Sequence, residues 1–270
     1  MKIFFTSFIQ RIISSKILVL NRKHFKKFEV NSAASKEQRL GFVRAEIFSL
    51  FDELERFSQE IVNKIPNSKF SKMKDFNEES NQLAKLLNNN GSDKAFVHNY
   101  HLLYANLFDR HRVRNVLEIG IGTNNLKVPS NMGKSGKPGA SLMAFSDFFE
   151  NARIYGLDID PNSFLNTKTE KIKVSYLDQM NENTFEEILE QKIKFDLIID
   201  DGLHLPSANL RTLRKLQPLF HNETIYIVED ISDDQLYIWK IVQSIMNGNG
   251  YISEIIKFEK HSIFICQKHE

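Results

Sequence analysis

Residues 114–122, RNVLEIGIG, are a short apolar run that stops on two glycines one residue apart. An apolar run of that length, bounded by turn residues, reads as a buried strand. The same pattern recurs downstream in ARIYGLDID (152–160), KIKVSYLDQ (171–179), KFDLIIDDG (194–202) and ETIYIVEDI (223–231). Runs with helical period, such as NTFEEILEQ (183–191) and SANLRTLRKLQPLF (207–220), lie between them. Strands alternating with helices predict an α/β fold with a mostly parallel sheet covered on both faces. A further helix, QLYIWKIVQSIMNG (235–248), precedes YISEIIKFE and HSIFICQK, which read as an antiparallel pair at the sheet edge.

In an open parallel sheet, ligands bind beyond the carboxyl ends of the strands. The first strand ends on Gly120 and Gly122, which let a ligand approach the backbone closely, and the second on Asp158 and Asp160. A carboxylate at the second strand can hold two ribose hydroxyls. The third ends on Asp178 and Gln179, acceptors and donors suited to an adenine edge. The fourth ends on Asp200 and Asp201, followed by Gly202 and His204, and the fifth on Glu229 and Asp230. Carboxylates at the lip of a core are costly without a partner, and a metal ion, a cofactor or a proton transfer could each provide one. Any one of these residues could instead cap a turn or a helix. Asp200 and Asp201 could cap the following helix with His204 packed against it, but the acidic pair recurs one strand later. No third glycine follows Gly122 at dinucleotide spacing, which argues against a nicotinamide site.

The turn EIGIGTNN, with Glu118 ahead of its first glycine, resembles motif I of the class I S-adenosylmethionine-dependent methyltransferases. Taken in order, SDKAFVHNYHLLYANLF (92–108), LEIGIG, KPGASLMAFSDFFENARIYGLDID, LDQ, DLIIDDGLH and YIVED are similar to the metal-dependent sugar O-methyltransferases of the macrocin and mycinamicin type. The similarity runs over roughly residues 91–266. Asn124 stands where that group usually has glycine, and Leu203 where it usually has serine. The resemblance implies a Rossmann-like methyltransferase fold, a mostly parallel seven-stranded sheet with an antiparallel edge strand. It implies S-adenosylmethionine bound by Glu118, Gly120, Gly122, Asp158, Asp178, Gln179 and Asp200. It further implies a divalent metal, Mg²⁺ or Mn²⁺, on Asp201, Glu229 and Asp230, and His204 as general base. All-oxygen ligands suit those hard cations rather than zinc. His98, Tyr100 and Ser141 are candidates for the acceptor pocket. The implied reaction is methyl transfer to a hydroxyl of a carbohydrate, in expectation a nucleotide-linked sugar destined for capsule or another surface polysaccharide. A catechol-type enzyme acting on a small diol, or a cofactor-binding subunit without turnover, are the alternatives.

The remaining sequence bounds these readings. The charge count, 36 basic against 34 acidic residues, does not argue for a nucleic-acid partner. The single cysteine, Cys266, excludes an intramolecular disulfide and a cysteine-rich zinc site. Residues 1–90 are expected to be a helical extension to a methyltransferase domain at 91–270, with a helix over 36–66. The basic, apolar segment at 1–28 is interrupted by Arg11 and Lys16, so no membrane-spanning helix is expected. It reads either as a surface helix at a membrane or as an element packed on the protein, the second being preferred. A cytoplasmic, homo-oligomeric enzyme is the expectation, peripheral at the membrane surface under the first option. The Gly/Pro/Ser-rich stretch NNLKVPSNMGKSGKPGASL (124–142) is expected to form a lid.

Overall fold

The computed structural model describes Glu53 and residues 70–128, 131–164 and 170–268. The segment at 1–28 lies outside these residues, as does the 36–66 run apart from Glu53, which is helical. The described strands are β1 (Asn115–Ile119), β2 (Arg153–Asp158), β3 (Ile172–Tyr176), β4 (Leu197–Asp200), β5 (Ile225–Ile231), β6 (Tyr251–Lys257) and β7 (Ser262–Lys268). They form one sheet in the order β3-β2-β1-β4-β5-β7-β6. The first five are mutually parallel, and β7 runs antiparallel to both β5 and β6. The parallel part is what the alternating strands and helices predict, and the whole order, with its antiparallel β7, is the class I methyltransferase arrangement that the resemblance implies.

The described helices are α1 (Glu78–Asn90), α2 (Asp93–Phe96), α3 (His101–Leu107), α4 (Ala140–Phe148), α5 (Glu186–Glu190), α6 (Pro206–Leu216) and α7 (Leu236–Gly248). Successive strand residues point to opposite faces, and both faces are covered. Val116, Leu197, Ile199, Ile225 and Ile227 pack with Leu83 and Leu87 of α1, Leu103 and Tyr104 of α3 and Phe145 of α4. Their neighbours Leu117, Ile198, Tyr226 and Val228 pack on the other face with Ile188, Leu213, Leu216 and Trp239. Cys266 is a buried member of this second layer, and burial pushes its thiol pKa up. Strands buried on both sides explain why the sequence shows continuous apolar runs rather than alternation.

α1 precedes residue 91 yet belongs to the first core layer. Its start is fixed by a reciprocal cap: Ser80 N donates to Asn77 Oδ1 at 2.8 Å and Asn77 N to Ser80 Oγ at 2.9 Å. Its buried face, Ser80, Leu83 and Leu87, lies against α4. Gly91 ends it, and Ser92 caps α2 one residue later. This tight succession carries α2 to the carboxyl edge of the sheet, where the site is built. Among the described residues, no helix is long and apolar enough to cross a membrane.

Candidate active site

The carboxyl ends of the parallel strands open into one pocket, whose lining includes Gly120, Gly122, Asp158, Asp178, Asp201 and His204. The loop after β1 passes very close to the end of β4. A Cβ on Gly120 would stand 2.6 Å from both the carbonyl carbon of Asp201 and the Cα of Gly202, and Gly120 holds φ +84°. Only glycine fits there without strain. Asp158 clamps the same loop. Its Oδ2 accepts from the amides of Ile121 at 2.9 Å and Gly122 at 3.2 Å, and its Oδ1 from the amide of Asp160 at 2.8 Å. Burial pushes the Asp158 pKa up, and those three amides oppose the rise. The Gly/Pro/Ser-rich stretch folds back over the loop. Met132 N donates to Thr123 O at 2.8 Å, and the Asn124 amide reaches the carbonyls of Gly133 and Gly136 at 2.6 and 2.9 Å. Val128, Met132 and Lys137 of this stretch line the pocket.

Three of the residues expected to bind cofactor are committed to internal partners. Gln179 gives its amide N–H groups to Asp200 Oδ1 at 2.7 Å and Thr212 Oγ1 at 2.9 Å, and its Oε1 accepts from Leu203 N at 2.8 Å. Asp200 is fully buried and also accepts from the Tyr226 hydroxyl at 3.0 Å. Burial raises its pKa, countered by these donors. Asp200 therefore locks the β3 and β4 ends together beneath the pocket rather than facing it. Glu118 is fully buried too, with Ser141 donating to its Oε2 at 2.6 Å. Asp178, Gln179 and Ser141 remain in the pocket lining, while Glu118 and Asp200 do not reach it.

The acidic groups converge around a lysine. Lys94, on α2, is 3 % exposed, and its Nζ lies 2.6 Å from Asp201 Oδ2. It also donates to Glu229 Oε2 and stands 3.2 Å from Glu118 Oε1, out of line for a hydrogen bond. The other Glu229 oxygen accepts from the Tyr104 hydroxyl. Burial works against the Lys94 ammonium, but Asp201, Glu229 and Glu118 outweigh it and hold its pKa well above the usual value. Burial also raises the Glu229 pKa, with Lys94 pulling the other way. Both Glu229 oxygens accept hydrogen bonds, as an ionised carboxylate does.

Asp230 lies beside this cluster because β5 is irregular: its pairing with β7 shifts register between Val228 and Ile231, and Asp230 takes φ +55°. In a regular strand Glu229 and Asp230 would face opposite sides; the bulge turns both toward the pocket. The Tyr100 hydroxyl donates to Asp230 Oδ1 at 2.6 Å, and His98 Nδ1 lies 3.6 Å from the same oxygen. His98 sits between Asp93 and Asp230; burial opposes its protonation, but the two carboxylates prevail and raise its pKa. His204, at φ +52°, places Nε2 4.0 Å from Asp201 Oδ1. Asp201, His204 and Asp230 each offer a ligand atom, all within 4.8 Å of one another. The Asp201 and Asp230 carboxylates of this set suit a hard divalent cation, with the His204 imidazole beside them and Glu229 adjacent but engaged by Lys94 and Tyr104.

Lys94 is the central residue that the sequence does not single out for the site: it lies in a polar stretch, GSDK, whose pattern looks like solvated surface. Tyr104 reads equally as acceptor-pocket lining, with His98 and Tyr100, or as helix packing; in the structure it is buried against Glu229.

No protein-family model matches the chain. It is 27 % identical over 185 residues to the 8-demethyl-8-alpha-L-rhamnosyl tetracenomycin-C 2'-O-methyltransferase of Streptomyces olivaceus, across 67 % of this chain and 46 % of that protein. It is 30 % identical to the mycinamicin VI 2''-O-methyltransferase of Micromonospora griseorubida (51 % and 32 % covered). It is 32 % identical to the demethylmacrocin O-methyltransferase of Streptomyces fradiae (46 % and 30 % covered). The chain thus spans about half the length, or less, of the curated relatives it matches. Among solved structures, the MycE methyltransferase of the mycinamycin biosynthetic pathway, in complex with Mg and SAH, superposes with a TM-score of 0.57 at 24 % identity over 70 % of this chain and 55 % of that one. The chain is related to the macrocin- and mycinamicin-type sugar O-methyltransferases and has the class I methyltransferase fold.

Proposed function

We propose that this protein is an S-adenosylmethionine-dependent O-methyltransferase that methylates a sugar hydroxyl. The observation that carries the proposal is the single pocket in which the glycine loop held by Asp158 faces Asp201, His204 and Asp230. The tetracenomycin-C relative named above acts, by its name, on a substrate that carries an alpha-L-rhamnosyl group. We extend the reading to a polar carbohydrate acceptor, nucleotide-linked and destined for surface polysaccharide.

In this reading Gly120, Gly122, Asp158 and Asp178 cradle the cofactor, and His98, Tyr100 and Ser141 border the acceptor. Asp201 and Asp230 hold a divalent cation, joined by Glu229 where Lys94 yields it. When bound, such an ion supplies charge to orient vicinal sugar oxygens and to lower the pKa of one of them. The acceptor oxygen attacks the sulfonium methyl in line. The new C–O bond forms as the S–CH₃ bond breaks, the demethylated thioether leaves, and the hydroxyl proton passes to Nε2 of His204. A positioned base contributes about 10²–10⁴-fold, and orientation in the pocket much of the rest.

The test is an assay of the purified full chain with S-adenosylmethionine, Mg²⁺ and panels of sugar nucleotides, glycosides and catechols, read by mass spectrometry for a product heavier by one methylene. A methylated sugar, lost with chelator and with His204→Ala, is expected. Methylation of catechols alone would overturn the sugar assignment, and turnover undiminished in excess chelator would overturn the metal.

A further inference from the structure

We infer that Lys94 is the resident cation of the acidic site: its ammonium holds Glu229 and Asp201 together in the metal-free protein and competes with the divalent ion for them. The inference rests on the proposed reading that this site takes a divalent cation. Asp201, Glu229, Asp230 and Glu118 bring four carboxylates to neighbouring strand ends, and such groups repel strongly in a poorly solvated place. Among the described residues, Lys94 is the one ammonium set against them, reaching Asp201 Oδ2 at 2.6 Å, Glu229 Oε2, and Glu118 Oε1 at 3.2 Å. The histidines nearby are more distant, His204 Nε2 at 4.0 Å from Asp201 and His98 Nδ1 at 3.6 Å from Asp230.

Burying a lysine to 3 % exposure is unfavourable unless its charge is matched, and here it is over-matched. The ammonium thus gives the carboxylates a reason to stay together without metal. The same placement opposes metal. A divalent ion on the free oxygen of Asp201 shares that carboxylate with the ammonium, and recruiting Glu229 takes away one of the two hydrogen bonds Lys94 makes. A bound proton could be expelled by the incoming ion; the lysine is tethered to α2 and stays. Lys94 is thus a positioning residue that keeps the site in shape while holding its affinity for the divalent ion low.

The two roles predict opposite results when the charge is removed but the shape kept. A purely structural lysine would lower metal affinity on mutation, because the ligands would scatter. A competing lysine would raise it. Mn²⁺ binding by the full chain, followed by electron paramagnetic resonance and calorimetry at about pH 8, distinguishes them. Lys94→Met is expected to bind Mn²⁺ about tenfold or more tightly than wild type, from loss of like-charge repulsion at close range. Lys94→Arg, which keeps the charge, is expected to show no such gain. Equal or weaker binding by Lys94→Met, with S-adenosylhomocysteine affinity retained to show an intact fold, overturns the inference and leaves the proposed function standing. If Lys94→Met is unfolded alone but melts cooperatively once Mn²⁺ is added, ion and ammonium are interchangeable and the inference holds. If saturating Mn²⁺ does not restore the fold, the inference fails. Absence of Mn²⁺ uptake by wild type and Lys94→Met alike removes the metal reading itself and this inference with it.

Discussion

Gly120→Ala and Gly122→Ala form a controlled pair. Both positions hold φ +84°, so both substitutions force an L-residue into the left-handed region, at about 1–2 kcal/mol. They differ in what the new methyl meets. At Gly120 it would stand 2.6 Å from the Asp201 carbonyl carbon and the Gly202 Cα, and closer still to the Asp201 carbonyl oxygen. All three are backbone atoms, and that backbone is tied to β1 by Asp201 N donating to Ile119 O at 2.9 Å. Relief requires prising the ends of β1 and β4 apart, an overpacking cost of about 1–3 kcal/mol more. At Gly122 the methyl meets the Met132 thioether, the end of a flexible side chain that is 41 % exposed and can swing away. Urea unfolding followed by far-ultraviolet circular dichroism should therefore show Gly120→Ala losing about 2–5 kcal/mol and Gly122→Ala about 1–2 kcal/mol, with unchanged m-values. Equal losses in the two variants would refute the claim that backbone contact between the glycine loop and β4 sets the residue at 120.

Two further outcomes are expected. His101 is buried, and burial lowers its pKa. Above the unfolded value of about 6.5 it is neutral in both states; as pH falls below that, the unfolded chain binds a proton the fold refuses, so stability drops down to the folded pKa. His101→Leu should flatten that decline in urea titrations between about pH 7.5 and 5, and an unchanged slope would exclude His101 as its source. Asp158→Ala should weaken S-adenosylhomocysteine binding in calorimetry by about 1–3 kcal/mol, the scale for hydrogen bonds to a charged group; unchanged affinity would remove Asp158 from the ribose role.

The fold was legible because its signals are local. RNVLEIG, KFDLIIDD and ETIYIVED are apolar runs too short for core helices, and each ends on residues that stop a strand. Covering both faces of a parallel sheet leaves such runs little room for polar residues, so the pattern survives without tertiary information. The site was legible only as a set of strand ends. Asp158, Asp178, Asp201, His204 and Asp230 do meet in one pocket. The inward turn of Asp200 was hidden, because adjacent aspartates look alike in sequence while one pairs with Gln179 and Tyr226 and the next faces Lys94. The role of Lys94 was hidden for a different reason. Its burial follows from docking α2 against three strand ends far away in sequence, and nothing within SDK distinguishes it from a surface lysine.

The bulge in β5 shows why a chemical motif and a strand can conflict. IYIVED supplies two consecutive acids, and a regular strand would send one of them into the layer occupied by Trp239 and Phe264. An unpaired carboxylate there would be expelled or would neutralise. The chain instead breaks its register with β7 and turns Asp230 into the left-handed region, which aspartate and histidine tolerate better than most residues. His204 makes the same concession at the end of β4. Each such residue costs on the order of 1–3 kcal/mol and persists only where its surroundings over-determine it. Here they do: Tyr100 holds the Asp230 carboxylate at 2.6 Å, and Gln235 holds the His204 carbonyl at 3.0 Å. Among the described residues, Asn99 and Lys192 also hold positive φ, but of the four only Asp230 and His204 line the pocket with Asp201. At these two positions the backbone departs from regular geometry where the proposed chemistry would need Asp230 and His204 turned toward Asp201.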